Sequence, residues 1–204
     1  MLGAPASGKG TQGRLLAEEL GIEYLSTGAR LRREIEKGSP LGLRAKSYLD
    51  ANQYVPDELA IELVQEWVLR HENGWMLDGF PRSVPQAEAL LEFAANLNHS
   101  PVPFKVIHLE VPVLELRKRV TTRRECPHCG TTTTSEHHTC PQCGSPDLEA
   151  RTDDSTEGFE KRLAAYQDLT IPALELLKKR TEVVTIDGAG TREEVAQLIK
   201  TQLT

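Results

Sequence analysis

The chain has 204 residues and a formal net charge of −6, with 26% charged and 39% hydrophobic residues, as in an ordinary globular domain. This length can bury a core without disulfides. The composition excludes a disordered or fibrous chain, and no apolar run approaches the roughly 20 residues of a membrane span. We see no signal peptide, and the acidic balance argues against a nucleic-acid-binding surface. We therefore expect a chain that binds neither a membrane nor nucleic acid. We also expect a monomer.

Short apolar runs alternate with stretches of helical periodicity along the chain. Strands are predicted at 23–26, 75–78, 104–109 and 183–187. Apolar residues recur at helical spacing over 57–72, which predicts an amphipathic helix. Thr191-x-x-Glu194 is a capping-box pattern at the start of a last helix. The alternation predicts an α/β fold, a parallel sheet with helices on both faces.

The segment that begins at Gly3 has the Gly-x4-Gly-Lys pattern of a phosphate-binding loop. Glycines let backbone N–H groups approach phosphate oxygens, and a helix that starts at once points its N-terminus at the anion. Lys9 would reach the β- and γ-phosphates, and Thr11 would place a hydroxyl near Mg²⁺. The alternative is a glycine-rich turn with a solvated lysine. The predicted ATP-binding residues of this loop are Gly3, Gly8, Lys9, Gly10 and Thr11.

The four cysteines form two Cys-x-x-Cys pairs within 18 residues, Cys126 with Cys129 and Cys140 with Cys143. Four thiolates at this spacing suit a tetrahedral, structural Zn²⁺, and a redox pair is the weaker alternative. They lie in a stretch, 121–156, that has no apolar periodicity, so bound metal would supply its folding energy. A thiolate metal site indicates a reducing compartment, and we expect a cytoplasmic protein.

The loop Gly-x-Pro-x-x-Gly-Lys-Gly-Thr-Gln resembles the opening of the adenylate kinases and related nucleoside monophosphate kinases. Three further motifs follow in that family's order: Ser26-Thr27-Gly28-x-x-Leu31-Arg32; Leu77-Asp78-Gly79-Phe80-Pro81-Arg82 with Gln86; and Asp153-Asp154 with Arg162-Leu163 and Tyr166. The resemblance covers nearly the whole chain, and the cysteine pairs match the zinc-bearing lid of many bacterial members. It implies a P-loop fold and reversible, Mg²⁺-dependent phosphoryl transfer from ATP to AMP, giving two ADP by direct in-line displacement.

The resemblance also implies roles for the residues at matching positions. The transfer itself would involve Lys9, Arg82, Arg119, Arg123, Arg151 and Arg162. ATP would contact the phosphate loop with Arg119, Arg123 and Gly190. AMP would contact Thr27, Arg32, Val55, Gly79, Arg82, Gln86, Arg151 and Arg162. Arginine suits these sites because its planar fork pairs bidentately with phosphate, although any one arginine could simply be a solvated charge.

Two of the implied residues have alternative interpretations. Asp78 ends a predicted strand, where ligands collect in open α/β sheets, and would hold Mg²⁺ through water together with Thr11. It could instead cap a helix or turn. Gln86 would read the adenine edge of AMP, but Ser83-x-x-Gln86 also fits a capping box.

The implied organisation is a core with two inserts. The core would span 1–25, 57–118 and 157–204, the monophosphate-binding insert 26–55, and the zinc lid 119–156. Two other functions stay open at this point. One is a kinase that prefers UMP or CMP, and the other is a non-catalytic nucleotide sensor or nucleic-acid-binding zinc ribbon on a P-loop scaffold.

Two departures from the family pattern carry expectations of their own. Ala6 stands where the loop usually has glycine, and alanine disfavours a positive φ. Only Met1 and Leu2 precede the loop, where family members have a complete apolar strand. We therefore expect an upstream extension to stabilise the sheet.

Overall fold

The structure is a computed structural model that describes residues 1–71, 73–97, 101–151 and 154–203. Its strands are β1 (Leu2–Gly3), β2 (Glu23–Ser26), β3 (Trp75–Asp78), β4 (Lys105–Glu110), β5 (Arg123–Glu125), β6 (Thr132–Thr134) and β7 (Glu182–Asp187). Its helices are α1 (Lys9–Leu20), α2 (Thr27–Glu36), α3 (Pro40–Asp50), α4 (Asp57–Val68), α5 (Val84–Asn96), α6 (Val113–Thr122), α7 (Thr156–Ala165), α8 (Ile171–Lys178) and α9 (Arg192–Leu203). A π-helical turn, Tyr166–Thr170, joins α7 to α8.

The central sheet is parallel and consists of two parts that meet at Met1. One part has the order β1-β4-β7 and the other pairs β2 with β3. The Met1 nitrogen donates to Leu77 O at 2.5 Å, and Gly79 N donates to Met1 O at 3.3 Å. These are the two bonds of a parallel ladder with Met1 opposite Asp78, so the strand order across the sheet is β2-β3-β1-β4-β7. The effect of an upstream extension stays a prediction.

Helices cover both faces of this sheet, as the sequence predicts. On β4, Val106 packs in a cluster with Leu174 of α8. Its neighbour Ile107 packs on the opposite face with Leu16 of α1 and Ile199 of α9. A strand buried on both faces is typical of a parallel sheet in an α/β fold.

The predicted elements agree with the structure except at their ends. Strands 23–26 and 75–78 match, whereas the other two are shifted or extended by one residue. The helix predicted over 57–72 ends at Val68, because Arg70 N and His71 N donate to carbonyls only three residues back. The capping box of the last helix is confirmed, since Thr191 N donates to Glu194 Oε2 and Glu194 N to Thr191 Oγ1.

The two predicted inserts each contain secondary structure of their own. The first contains α2 and α3, which pack so closely that a Cβ on Gly42 would lie 2.1 Å from Glu34 O. The second contains the antiparallel hairpin of β5 and β6 and the cysteines. Within the described ranges, no helix combines the length and apolar character needed to cross a membrane.

Candidate active site

The phosphate-binding loop lies between β1 and α1, and the helix begins directly after Gly8, as predicted. A short strand precedes the loop, although the sequence indicated none there. Gly8 adopts φ +90° directly before α1, so the first amides of the helix face the space enclosed by the loop. Lys9 Nζ lies 3.3 Å from Ala4 O. Burial lowers the pKa of Lys9 to about 8, and the charge of Asp78 acts in the opposite direction. The loop thus places the Lys9 amine and the N-terminus of α1 beside the same space.

One large cleft, of about 1000 Å³, adjoins this loop and reaches across the inserts. All the nucleotide-contacting residues predicted from the sequence line it, except Gly3. Gly3 instead lines a small cavity beneath the loop. The cleft is also lined by lid residues, including Thr132, Thr133, Thr134 and Pro141. The fold therefore gathers these predicted residues, which are far apart in sequence, around one cleft.

At one end of the cleft, residues of α2 and of the segment after β3 are linked to each other. Thr27 Oγ1 donates to Gly79 O at 3.1 Å. Arg82 Nε donates to the same carbonyl at 2.6 Å, and the Arg82 guanidinium lies over the ring of Tyr54, 4.7 Å from its centre. Tyr54 is a cation–π partner that the sequence motifs did not indicate. Arg32 and Val55 line the same end.

Gln86 is buried, and both atoms of its amide are bonded within the protein. Oε1 accepts from Arg82 N at 2.8 Å, and Nε2 donates to Asp57 Oδ1 at 2.8 Å. Ser83 Oγ accepts from Gln86 N at 3.3 Å, which forms one half of the capping box. The other half is absent because Oε1 bonds Arg82 N. The role of Gln86 toward adenine stays a prediction.

Four arginines come from α6, the lid and α7. Arg119 donates through Nη1 to Gly188 O at 2.9 Å and through Nη2 to Ala189 O at 3.0 Å, which fixes it against the loop after β7. Gly190 lies in that loop, at the rim of the cleft.

The other arginines meet two carboxylates that the sequence analysis did not single out as site residues. The Asp154 carboxylate is almost completely buried and accepts from Arg123 Nε at 2.6 Å and from Arg162 Nη2 at 3.0 Å. Glu125 lies 3.5 Å from Arg151 and 3.8 Å from Arg32. The sequence signal for Asp154 was the Asp-Asp motif, whose first member, Asp153, lies outside the described residues.

Asp78 and Thr11 both line the cleft beside the phosphate loop. Asp78 Oδ2 accepts from the Tyr24 hydroxyl at 2.7 Å. Its other oxygen, Oδ1, is buried and has no hydrogen-bond partner among the described residues. An unsatisfied buried carboxylate oxygen fits a hydrated divalent cation, since hard oxygen ligands are what Mg²⁺ prefers.

The four cysteine sulfurs lie within 4.8 Å of one another and can hold a metal ion. Cys126 and Cys143 are 3.6 Å apart, and Cys129 and Cys140 are 3.5 Å apart. Hydrogen bonding with Thr131 lowers the pKa of the Cys129 thiol, which favours the thiolate form that binds metals.

Each Cys-x-x-Cys pair is followed by a glycine with a positive φ. Gly130 has φ +71° and Gly144 has φ +74°, and their N–H groups donate to the carbonyls of Cys126 and Cys140. A side chain would strain this turn. His128 is paired with Asp147 at 2.7 Å and does not belong to the cysteine cluster. The cluster is thus a compact site of four thiols.

A parallel sheet, a phosphate loop at the end of β1 and arginines that converge on one cleft define a P-loop nucleotide kinase. The family model of the adenylate kinases matches residues 1–182. The chain is 39% identical to the adenylate kinase of Clostridium tetani, over all of this chain and 96% of that protein. It is 38% identical to the adenylate kinase of Methanocella arvoryzae, over 98% of this chain and 95% of that protein. The chain therefore belongs to the adenylate kinase family, and is a nucleoside monophosphate kinase.

Proposed function

We propose that this chain transfers the γ-phosphoryl group of ATP to AMP, reversibly and by direct in-line displacement, giving two molecules of ADP. The observation that supports this best is the large cleft. It is lined by the phosphate loop, by Thr27 and Arg82, and by arginines from several elements. A cleft with many cationic groups suits a reaction between two nucleotides.

The phosphoryl donor would lie on the phosphate loop. Gly8, Gly10 and the first amides of α1 would bind the β- and γ-phosphates, with Lys9 supplying positive charge. Arg119 and Gly190 would lie beside the nucleoside of ATP. The hydrogen bonds from Arg119 to the loop after β7 hold these two residues together on that side of the cleft.

The acceptor would lie toward α2. Arg32, Arg82 and Arg151 would bind the AMP phosphate, while Thr27, Val55, Gly79 and Gln86 would enclose the nucleoside. A phosphate oxygen is already nucleophilic, so the site needs no base. Arg123 and Arg162 would neutralise the charge on the transferring group, and the lid would exclude water.

Two metal ions complete the proposal. Mg²⁺, when bound with ATP, would neutralise and orient its phosphates, and the free oxygen of Asp78 with the hydroxyl of Thr11 would hold it through water. The four thiols would hold Zn²⁺ as a structural ion, because their number and closeness leave no position for a substrate. Four thiols in a metal site also favour a cytoplasmic location. We propose a monomer.

The proposed domains follow the two inserts. Residues 26–55 would move as the monophosphate-binding unit, and 119–156 as the lid. Their movement would open the cleft for substrates and close it for transfer.

A coupled assay with ATP and each of AMP, CMP, UMP and GMP tests the proposed function. We expect turnover with AMP to exceed turnover with the other three acceptors by at least about tenfold, since a matched base is worth about 1–3 kcal/mol.

Arg82→Ala should reduce kcat far more than it weakens ATP binding. Arg70→Ala is the matched control, because Arg70 is exposed and pairs with Glu66 on α4. Turnover only with a pyrimidine nucleotide, or an unchanged kcat in Arg82→Ala, would refute the proposal.

A further inference from the structure

The Tyr24 ring packs against the first turns of α1, beside Gly13. It stands opposite Met76 in the pairing of β2 with β3. The Arg14 guanidinium lies 5.1 Å from the centre of its ring. A Cβ on Gly13 would lie 2.9 Å from Tyr24 Cε2, so a larger residue at position 13 would collide with the ring. Glycine in a helix interior lowers stability by about 1 kcal/mol relative to alanine. Gly13 therefore weakens α1, but it allows the close contact with the Tyr24 ring.

The two carboxylate oxygens of Asp78 differ in their hydrogen bonding. Oδ2 accepts from the Tyr24 hydroxyl at 2.7 Å, whereas Oδ1 is buried and without a partner among the described residues. Asp78 itself is 6% exposed and lines the cleft. Leaving a buried acceptor unsatisfied costs about 1–3 kcal/mol, so Oδ1 is an oxygen prepared for a ligand.

The geometry points to Tyr24 as a positioning residue for Asp78, a role that rests on the proposed function. By occupying Oδ2, the hydroxyl fixes the rotation of the carboxylate and leaves Oδ1 for the water shell of a divalent cation bound with ATP. Outer partners that orient a ligand in this way are known to tune metal affinity.

Two electrostatic features suit this role. Burial and the charge of Asp78 raise the pKa of the Tyr24 phenol well above its usual value, so the hydroxyl stays a donor over the working pH range. The charge of Asp78 also opposes the lowering of the Lys9 pKa by burial, as expected for two charges close together. A carboxylate released by Tyr24 would be drawn toward Lys9, whose charge the phosphates need.

The test uses Tyr24→Phe, which removes the hydroxyl but keeps the ring under α1. Tyr48→Phe is the matched control, because Tyr48 packs against the apolar cluster of α3 and α4 and is outside the cleft. Two quantities are measured for each purified chain. One is the Mg²⁺ concentration for half-maximal turnover. The other is the affinity for Mn²⁺·ATP relative to ATP without metal, determined by calorimetry in the absence of an acceptor.

We expect Tyr24→Phe to raise the required Mg²⁺ concentration roughly tenfold, in line with outer partners at other metal sites. Its preference for Mn²⁺·ATP should fall by the same factor, while its affinity for metal-free ATP and its KM for AMP stay those of the wild type. Tyr24→Met, a second variant without the hydroxyl, should show the same loss.

A double-mutant cycle distinguishes an effect of the Tyr24 hydroxyl through Asp78 from a change in packing. In an Asp78→Asn background, Tyr24→Phe should cause no further change in metal preference, since Tyr24 acts through that carboxylate. An unchanged metal preference in Tyr24→Phe, or an equal loss with Asp78 already replaced, would overturn the inference. A wild-type chain that cannot phosphorylate AMP would refute the proposed function instead, because the metal preference is measured without AMP.

Discussion

Asp154 holds Arg123 in place, with the arginine Nε donating to Asp154 Oδ2 at 2.6 Å. The same carboxylate accepts from Arg162 Nη2 at 3.0 Å, so one buried acid sets the separation of two guanidinium groups in the cleft. The first arginine belongs to the lid hairpin and the second to α7. Asp154 therefore sets the relative placement of these two arginines, which under the proposed function would surround the transferring phosphoryl group.

Asp154→Asn should lower kcat by about 100-fold, because displacing aligned charges by even 1 Å can cost that much. The affinity for ATP should change little, since the phosphate loop is untouched. Steady-state kinetics and ATP calorimetry measure the two effects. Asp168→Asn, at an exposed position in the π-helical turn, is the control. A kcat equal to that of the wild type would show that the carboxylate does not position these arginines.

Glu125→Gln should strengthen AMP binding. Glu125 is a lid carboxylate that lies near Arg32 and Arg151, two arginines of the proposed AMP phosphate site. Removing its charge takes away one ion-pair partner that competes with the AMP phosphate for each guanidinium group, and partly exposed pairs of this kind are worth about 0.2–1 kcal/mol. We expect the KM for AMP to fall about two- to fivefold, with a smaller change at high salt. Glu149→Gln, on the segment that pairs with Glu125, should leave KM unchanged. A higher KM in Glu125→Gln would contradict this arrangement.

Ala6→Gly should stabilise the protein. Ala6 adopts φ +65°, a left-handed conformation that costs a residue with a Cβ about 1–2 kcal/mol. Glycine removes this strain but gains about 0.4–1 kcal/mol of freedom in the unfolded chain. The free energy of unfolding in urea should therefore rise by about 0.5–1 kcal/mol. Ala164→Gly, in the exposed part of α7, should instead lose about 1 kcal/mol. A lower stability in Ala6→Gly would mean that the alanine conformation is not strained.

Removing the metal should unfold the lid before the core. The cysteines lie in a segment with few apolar residues, so a bound metal would supply much of its stability. Calorimetric scans with and without a zinc chelator should show a lower first transition after chelation, and metal analysis should find about one zinc per untreated chain. A Cys126→Ser/Cys129→Ser variant should already melt like the chelated protein and respond no further. Identical scans after complete removal of zinc would contradict a structural role.

ATP binding should weaken above pH 8. The pKa of Lys9 is about 8 in the free protein because the amine is buried, whereas bound phosphates keep it protonated. Binding at pH 9 must therefore take up close to one proton, while binding at pH 7 takes up almost none. Calorimetry in two buffers of different ionisation enthalpy measures this uptake. Lys9→Arg should abolish it, because a guanidinium stays charged at both pH values. Equal uptake at pH 7 and 9 would contradict the lowered pKa.

Local sequence was sufficient for the features whose parts lie close together in the chain. The phosphate loop, the capping box at Thr191 and the cysteine pairs each depend on backbone turns within a few residues. The alternation of strands and helices likewise predicted helices on both faces of the sheet. The resemblance added the list of arginines, and the structure brings them to one cleft.

Only the tertiary structure decided which partners these residues have. Glu125 and Arg32 are far apart in sequence, as are Tyr24 and Asp78, and their contacts depend on how the lid, α2 and neighbouring strands pack. Local patterns left the amide of Gln86 ambiguous, and its bond to Asp57 depends on how α4 and α5 meet. Sequence spacing specifies turns and which residue types are present, whereas hydrogen bonds between distant side chains are set by the geometry of the assembled core.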